Sequence, residues 1–327
     1  MTYFTSKNVA IVCPTKDQPL KVTRLLNSLC DLNEKPYQII IADGGKNLQP
    51  VINEFSNRLN VIRLACPEVG QVLQRNHAHK CLNKNIKIIL HLDDDITLTP
   101  SAITNMLKFW NLEFTKTTIP LGGVSFNIVD LPKLKSSKIR NVFLTQNGRP
   151  GQVSKSGYAS PFLPASRDCQ TPWLLGGATA WSRNVIESHP HPINFPTRWA
   201  VCEDLIYSFP LRNDYRLMVA SNARVFHNET YENMSFRKAI FYGRSSAVFR
   251  YHFVQINNEL STWAYFYITK AIILKNFIKG IFASPRHFGL CFGGISGLFS
   301  CMWCSVRNGD SKNLAKRLFV QNDNDLT

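Results

Sequence analysis

The first third of the chain alternates short apolar runs with stretches in which apolar residues recur every three to four positions. That alternation predicts successive β-strand and α-helix units building a mostly parallel sheet. Val9 to Cys13 reads as a buried strand. Asp17 is placed to cap the following helix, whose apolar positions Val22, Leu25, Leu26 and Leu29 fall at i, i+3, i+4 and i+7, with Pro19 in its first turn. A second strand, Gln38 to Ala42, runs into the polar turn Asp43-Gly44-Gly45.

The same rhythm continues with a helix around Val51 to Phe55, a strand from Asn60 to Leu64, a helix from Val72 to Leu82 and a strand from Ile86 to Leu92. That last strand stops at Asp93-Asp94-Asp95. Thr99-Pro100 is expected to open another helix, and Leu121 to Ile128 to form a strand. Residues 130–170 have no clear period and read as a long active-site loop. Beyond them come an apolar segment with Gly176-Gly177, Glu203-Asp204 opening a helix limited by Pro210, and a strand from Arg216 to Phe226 ending at His227. From Phe236 onward the chain is aromatic and only weakly periodic.

Charge sharpens this picture. The 327 residues carry 38 Lys and Arg against 22 Asp and Glu, a formal charge of +16, which favours an anionic partner: nucleotide phosphate, acidic lipid or nucleic acid. Residues 231–317 hold 12 Lys or Arg but only Glu232, Glu259 and Asp310 as acids, a composition suited to an anionic membrane surface. Phe288 to Val306 has 19 residues without charge, but four glycines, three serines and three cysteines dilute it. It therefore reads as an interfacial or re-entrant helix in preference to a span. The N-terminal stretch lacks a signal-peptide pattern and the nine cysteines lack a secreted rhythm, so a cytoplasmic location, peripheral to the membrane's inner face, is expected. Cys301 and Cys304 read as buried thiols.

The acidic turns carry the candidate chemistry. Three adjacent carboxylates at a strand's carboxyl end repel one another, and a divalent cation, Mn²⁺ or Mg²⁺, would relieve that cost. Asp95 is expected on the metal and Asp93 near a ribose or the metal's water shell; a solvated turn capping the next helix remains the plain alternative. Glu203-Asp204 offers a general base or, alternatively, helix-dipole acids. His227 offers a further metal ligand or a structural imidazole. Trp173 with Gly176 and Gly177 offers either a flat surface for a sugar ring or a tight turn beside a core Trp.

Taken in order, Val9 to Asp17, Asp43-Gly44-Gly45, Gln74-Arg75-Asn76, Asp93 to Asp95, Trp173 to Gly177, Glu203-Asp204 and His227 resemble the family 2 glycosyltransferases. The resemblance covers roughly residues 7–250. It implies an α/β GT-A fold, a Rossmann-like nucleotide-binding mixed sheet flanked by helices, over 1–250, with a C-terminal helical membrane-associating extension over 251–327.

It also implies transfer of a sugar from a nucleotide-diphospho-sugar to a saccharide or lipid-linked acceptor hydroxyl, with inversion, in cell-surface polysaccharide or lipopolysaccharide synthesis. By the same resemblance Pro14, Thr15, Asp17, Asp43, Arg75, Asp93 and Asp94 would bind the donor. Asp95, Asp93 and His227 would hold the metal, and Asp204 with Glu203 would supply the base. The sequence departs from the family at Pro14-Thr15-Lys16-Asp17 and at Leu205-Ile206-Tyr207-Ser208, and lacks the Gln-x-x-Arg-Trp segment of processive synthases. A single-addition enzyme is therefore expected. The competing classes are a metal-dependent nucleotidyl or phosphoryl transferase and a basic RNA- or membrane-binding protein. Bare carboxylates at the sheet mouth argue against nucleic acid there.

Overall fold

The computed structural model describes residues 3–45, 47–116, 118–131, 151–160, 164–194, 201–228 and 234–320. They form two compact units, each discontinuous in sequence. The first comprises Met1–Lys133, Leu163–Asn194 and Tyr207–Glu229; the second comprises Leu134–Phe162, Phe195–Ile206 and Thr230–Thr327.

The first unit is built on one nine-stranded sheet. Its strands are β1 (Val9–Thr15), β2 (Gln38–Asp43), β3 (Val61–Ala65), β4 (Ile88–Leu92), β5 (Ile96–Leu98), β6 (Leu121–Ile128), β7 (Cys169–Gln170), β8 (Ala178–Ser182) and β9 (Arg216–His227). They lie in the order β3-β2-β1-β4-β8-β6-β9-β5, with β7 against β9. Strands β1 to β4 are parallel, whereas β8 is antiparallel to β4 and β6. The sheet is thus mixed. Because β1, β2 and β4 are buried on both faces, they read as unbroken apolar runs instead of alternating ones.

Helices α1 (Pro19–Cys30), α2 (Gln49–Phe55), α3 (Gln71–His79), α4 (Ala102–Phe114) and α5 (Arg183–Ser188) belong to the same unit. Helix α1 buries Val22, Leu25, Leu26 and Leu29, the stripe its spacing predicts. Its start differs from expectation: the capping position is Gln18, and Asp17 sits one residue earlier at φ 56°, a left-handed conformation that Asp tolerates. Helix α4 also opens later than Thr99-Pro100, after Ser101, because Thr99 is drawn to β9: both its amide and its hydroxyl donate to Arg224 O. Of the loop expected over 130–170, residues 132–150 and 161–163 lie outside the described residues. The part 151–160 folds back on itself through a Val153–Ala159 bridge.

Helix α6 (Glu203–Leu211) starts in the second unit and ends in the first. The second unit is otherwise helical: α7 (Phe236–Gln255), α8 (Thr262–Phe282), α9 (Arg286–Val306) and α10 (Ser311–Val320). Ser235 and Ser261 cap α7 and α8 by accepting from the amides of Lys238 and Ala264, each at 3.3 Å. The division drawn from sequence at residue 250 falls inside α7.

The glycines that diluted the apolar stretch have a packing reason. Gly289, Gly293 and Gly297 recur every four residues along α9, and Gly243 sits on the facing side of α7. A Cβ on Gly289 would meet the Ala239 side chain at 2.8 Å, and one on Gly297 would meet Ala247 at 2.8 Å. A Cβ on Gly293 would collide with the Ile240 carbonyl. Small residues thus let two helix backbones approach along their whole contact. Cys301 and Cys304 lie buried in this unit, and burial pushes the Cys301 thiol up to about 12; all nine cysteines are free thiols.

Candidate active site

Parallel pairing brings the candidate residues together at one edge. Thr15 and Asp43 are register partners at the carboxyl ends of β1 and β2, and β4 on the other side of β1 delivers Asp93 to Asp95. This is the point where the strand order reverses, the position at which open α/β sheets take ligands.

Each of the three carboxylates has a different partner. Asp94 turns to β1 and accepts a 2.6 Å hydrogen bond from the Thr15 hydroxyl. Burial raises its carboxyl to about 6, against the opposing pull of Thr15 and Lys21. Asp93 turns toward α3, where Oδ1 accepts from Gln71 Nε2 at 2.6 Å and from Arg75 Nη2 at 2.8 Å. Arg75 also donates to Gly176 O at 3.1 Å, and the Asp93 amide donates to Gly177 O at 2.9 Å. A Cβ on Gly177 would strike the Asp93 carboxylate, so the close approach allowed by this glycine is to Asp93 itself.

Asp95 faces β9. The antiparallel register pairs Ile96 with His227, which sets His227 Nε2 3.4 Å from Asp95 Oδ1, at the outer limit of a hydrogen bond. Oδ1 is buried with no hydrogen bond made to it, while Oδ2 has Lys21 Nζ at 3.3 Å. Burial works to raise the Asp95 carboxyl, but His227 and Lys21 outweigh it and hold it below its ordinary value. Asn228 fixes the pair from behind: its amide donates to Asp95 O at 2.9 Å, and its side chain donates to Thr97 Oγ1 at 2.8 Å. The His227 amide donates to the Asp130 carboxylate at 2.9 Å.

Other expected donor contacts are engaged internally. Asp43 is 1% exposed; Oδ1 accepts from the Gly45 amide at 2.9 Å, and Oδ2 from Arg63 Nε at 2.8 Å and the Leu48 amide at 3.3 Å. Direct contact of Asp43 with a nucleotide would require these bonds to open. Arg75 is buried behind Asp93 and orients it. Asp17 lies against Gly45, where a Cβ would meet its Oδ1 at 2.6 Å, joining the loops after β1 and β2. Pro14 is buried within β1, register partner of Ala42. Trp173 is 5% exposed, buried beside Gly176 and Gly177.

Among the described residues no group of three or more His, Cys, Asp and Glu is assembled to hold a metal, because Asp93 is turned to Gln71 and Arg75 and away from a shared cage. The fit of a cation rests instead on two donors, the buried Asp95 Oδ1 without a hydrogen bond and His227 Nε2. Such a site leaves the remaining coordination to substrate phosphates and water. Glu203 and Asp204 occupy the first turn of α6, Glu203 buried and Asp204 half-buried, with Asp204 Oδ1 accepting from the Leu205 amide at 2.8 Å. The turn before them is held by Cys202 at φ 67°.

Several residues at the site were not singled out from sequence. Gln71 and Lys21 are polar positions on otherwise amphipathic helices, indistinguishable by pattern from solvated ones. Asp130 and Asn228 follow the ends of β6 and β9, the same strand-end signal that drew attention to Asp43 and Asp93. Behind the site, His79 and His91 share a 2.9 Å Nε2 to Nε2 contact, and burial lowers both imidazoles, His79 to about 3.

A mixed sheet with parallel β1 to β4 and an acidic cluster at the switch point is an arrangement in which open α/β folds take ligands. Residues 10–156 match the sequence model of the Glycosyl transferase family 2, in support of the resemblance read from the sequence. A sequence search among curated proteins finds no match.

Solved glycosyltransferases share the fold at low identity. The mannosyltransferase PcManGT from Pyrobaculum calidifontis, in complex with GDP-Man and Mn²⁺, is 14% identical with a TM-score of 0.53, over 97% of this chain and 88% of that one. GalNAc-T7 with UDP, GalNAc and Mn²⁺ is 14% identical with a TM-score of 0.52, over 80% of this chain and 53% of that one. S. aureus TarS is 14% identical with a TM-score of 0.50, over 94% of this chain and 55% of that one. The GT-A fold expected from the sequence is therefore the fold of this protein.

Proposed function

We propose that the protein transfers a hexosyl group from a nucleotide-diphospho-sugar to a hydroxyl of a saccharide or lipid-linked saccharide, with inversion, in cell-surface polysaccharide or lipopolysaccharide synthesis. The observation that carries the reading is the pairing of Asp95 with His227 at the sheet's switch point, with a buried carboxylate oxygen that accepts no hydrogen bond. Two proteins of the same fold were solved with a nucleotide or nucleotide-sugar together with Mn²⁺, which supports a donor of that class here.

Asp95 and His227 would hold a Mn²⁺ or Mg²⁺ ion, which would supply positive charge to offset the negative charge developing on the departing diphosphate. Thr15 and Lys21 fix Asp94 and Asp95, and Arg75 with Gln71 fixes Asp93, so the carboxylates are set before the donor arrives. Preorganisation of this kind avoids reorganisation during the reaction. The family resemblance gives Asp204, in the first turn of α6, the role of the base that would accept the acceptor's hydroxyl proton as that oxygen bonds to the anomeric carbon and the bond to the diphosphate breaks. Glu203 is its buried neighbour in the same turn.

The test is an assay of released nucleotide with a panel of nucleotide-sugars and Mn²⁺. Release of nucleoside diphosphate is expected, and pyrophosphate release would make the protein a nucleotidyl transferase. Asp204→Asn should lower turnover by about 10²- to 10⁴-fold, the range for loss of a positioned general base, while donor binding persists. Full turnover in that variant would remove Asp204 from the role.

A further inference from the structure

The second unit leaves an apolar surface uncovered. Of the 23 exposed large hydrophobic residues among those described, 12 lie on α8 and α9. On α8 they follow one helical stripe: Trp263, Tyr267, Leu274, Ile278 and Ile281 are spaced by four, seven, four and three residues, and Trp263 is 85% exposed. On α9 a second stripe runs through Phe292, Phe299, Trp303 and Val306, the last 81% exposed. The opposite sides are packed against protein, through Tyr265, Ile268 and Thr269 on α8 and through the glycines and cysteines of α9. Scattered apolar residues on a surface need no explanation, whereas apolar stripes along two packed helices, with Trp263 and Trp303 among them, mark an interaction face.

Charge selects the partner. From Leu260 to Gly309 there is no Asp or Glu, while Lys270, Lys275, Lys279, Arg286 and Arg307 punctuate the two helices. A second copy of this chain would bring these cations against themselves without compensating acids, so self-association is disfavoured. An apolar layer beneath negative headgroups matches both features: the aromatic and aliphatic side chains enter the acyl boundary, and the lysines reach the phosphates.

Helix α9 has 21 residues and is long and apolar enough to cross a bilayer. Its glycine face is occupied by α7, however, and α8 beside it carries three lysines. We infer that α8 and α9 lie in the plane of an anionic membrane surface as a docking face and do not span it. The inference is independent of the sugar-transfer reading, since it rests on the second unit alone.

Sedimentation with vesicles tests it. The full chain should pellet with vesicles of phosphatidylcholine containing about a third phosphatidylglycerol and be released by alkaline carbonate, as a surface-bound protein is. Trp263→Ser combined with Trp303→Ser, both on exposed positions, should weaken binding at least about tenfold while leaving nucleotide release from the soluble enzyme unchanged. Lys270→Ala with Lys275→Ala and Lys279→Ala should weaken binding to the anionic vesicles by about 100-fold, from about 1 kcal/mol per lysine, with far less change on phosphatidylcholine alone. Three results would each overturn the proposal: failure of the full chain to pellet, retention in the membrane after carbonate, or a concentration-dependent dimer that the Trp substitutions abolish.

Discussion

The two units use their unusual residues in opposite ways. In the sheet unit, charges are drawn inward and each is given a partner: Asp43 with Arg63, Asp93 with Arg75, Asp95 with Lys21 and His227, and, away from the site, Glu113 with Arg216. In the helical unit, apolar residues are left outward while glycines fill the interior. Buried charge is costly unless paired, and exposed apolar surface is costly unless covered. The first unit pairs these charges within the chain. The second leaves large apolar side chains exposed among its described residues.

Breaking a pair in the sheet unit should have the largest effect on stability. Arg216 reaches Glu113 Oε2 at 2.8 Å, linking β9 to α4, and both residues are under a tenth exposed. Glu113→Gln would leave the guanidinium without its counter-charge and should cost about 3–5 kcal/mol in chemical denaturation, the range for a one-sided break of a buried pair.

The helical unit should show its weakness on acidification. His252 is buried beside Ser311 Oγ at 2.9 Å, and burial holds its imidazole down to about 4. Unfolded, the same group takes its proton near pH 6.5, so stability is full above that pH and is lost as the pH falls toward 4. The loss should reach about 3 kcal/mol, from roughly 1.4 kcal/mol for each tenfold weakening of proton affinity on folding. Asp310 and Lys312 are the charged groups acting on it, with opposite effects. Melting as a function of pH, compared with His252→Gln, checks this, and the variant should show a flatter decline between pH 6.5 and 4.

A smaller effect should follow from filling the helix contact. Gly293→Ala places a methyl group against the Ile240 carbonyl and should cost about 1–3 kcal/mol by overpacking. Alanine's better helix propensity, about 1 kcal/mol, offsets part of this. Ser296→Ala, on an exposed position of the same helix, serves as the control and should stay within about 0.5 kcal/mol in thermal melts.

The same contrast explains what the sequence disclosed. Strands β1, β2 and β4 were legible because burial on both faces leaves continuous Val, Ile and Leu runs, and α1 was legible because only one of its faces is buried. Helix α9 was legible only as an uncharged stretch, Phe288 to Val306, and α8 was not, since a helix with protein on one side and an uncovered apolar face on the other has no polar side to mark its period. Strands β5, β7 and β8 were missed because they are short and defined by partners far away in sequence.

At the site, strand-end carboxylates announced themselves by position, but which partner each one takes did not. The different orientations of Asp93, Asp94 and Asp95 depend on Gln71, Thr15 and His227, which come from α3, β1 and β9. Only the register of β5 against β9 places His227 beside Asp95. Trp173 stayed open in the sequence because an aromatic beside two glycines looks the same whether it faces a ligand or the core; in the fold it is buried.

The proposed sugar transfer would have Asp95 and His227 hold a divalent ion which in turn holds a sugar donor's diphosphate. The direct measurement is thermal unfolding of the protein and of Asp95→Asn with GDP- and UDP-sugars, with Mn²⁺ and with EDTA. For the unaltered protein, the bound donor should stabilise by about 2.7 kcal/mol at a hundred times its Kd, only with Mn²⁺ present, and Asp95→Asn should abolish the shift. Equal stabilisation in EDTA, or an undiminished shift in Asp95→Asn, would contradict it.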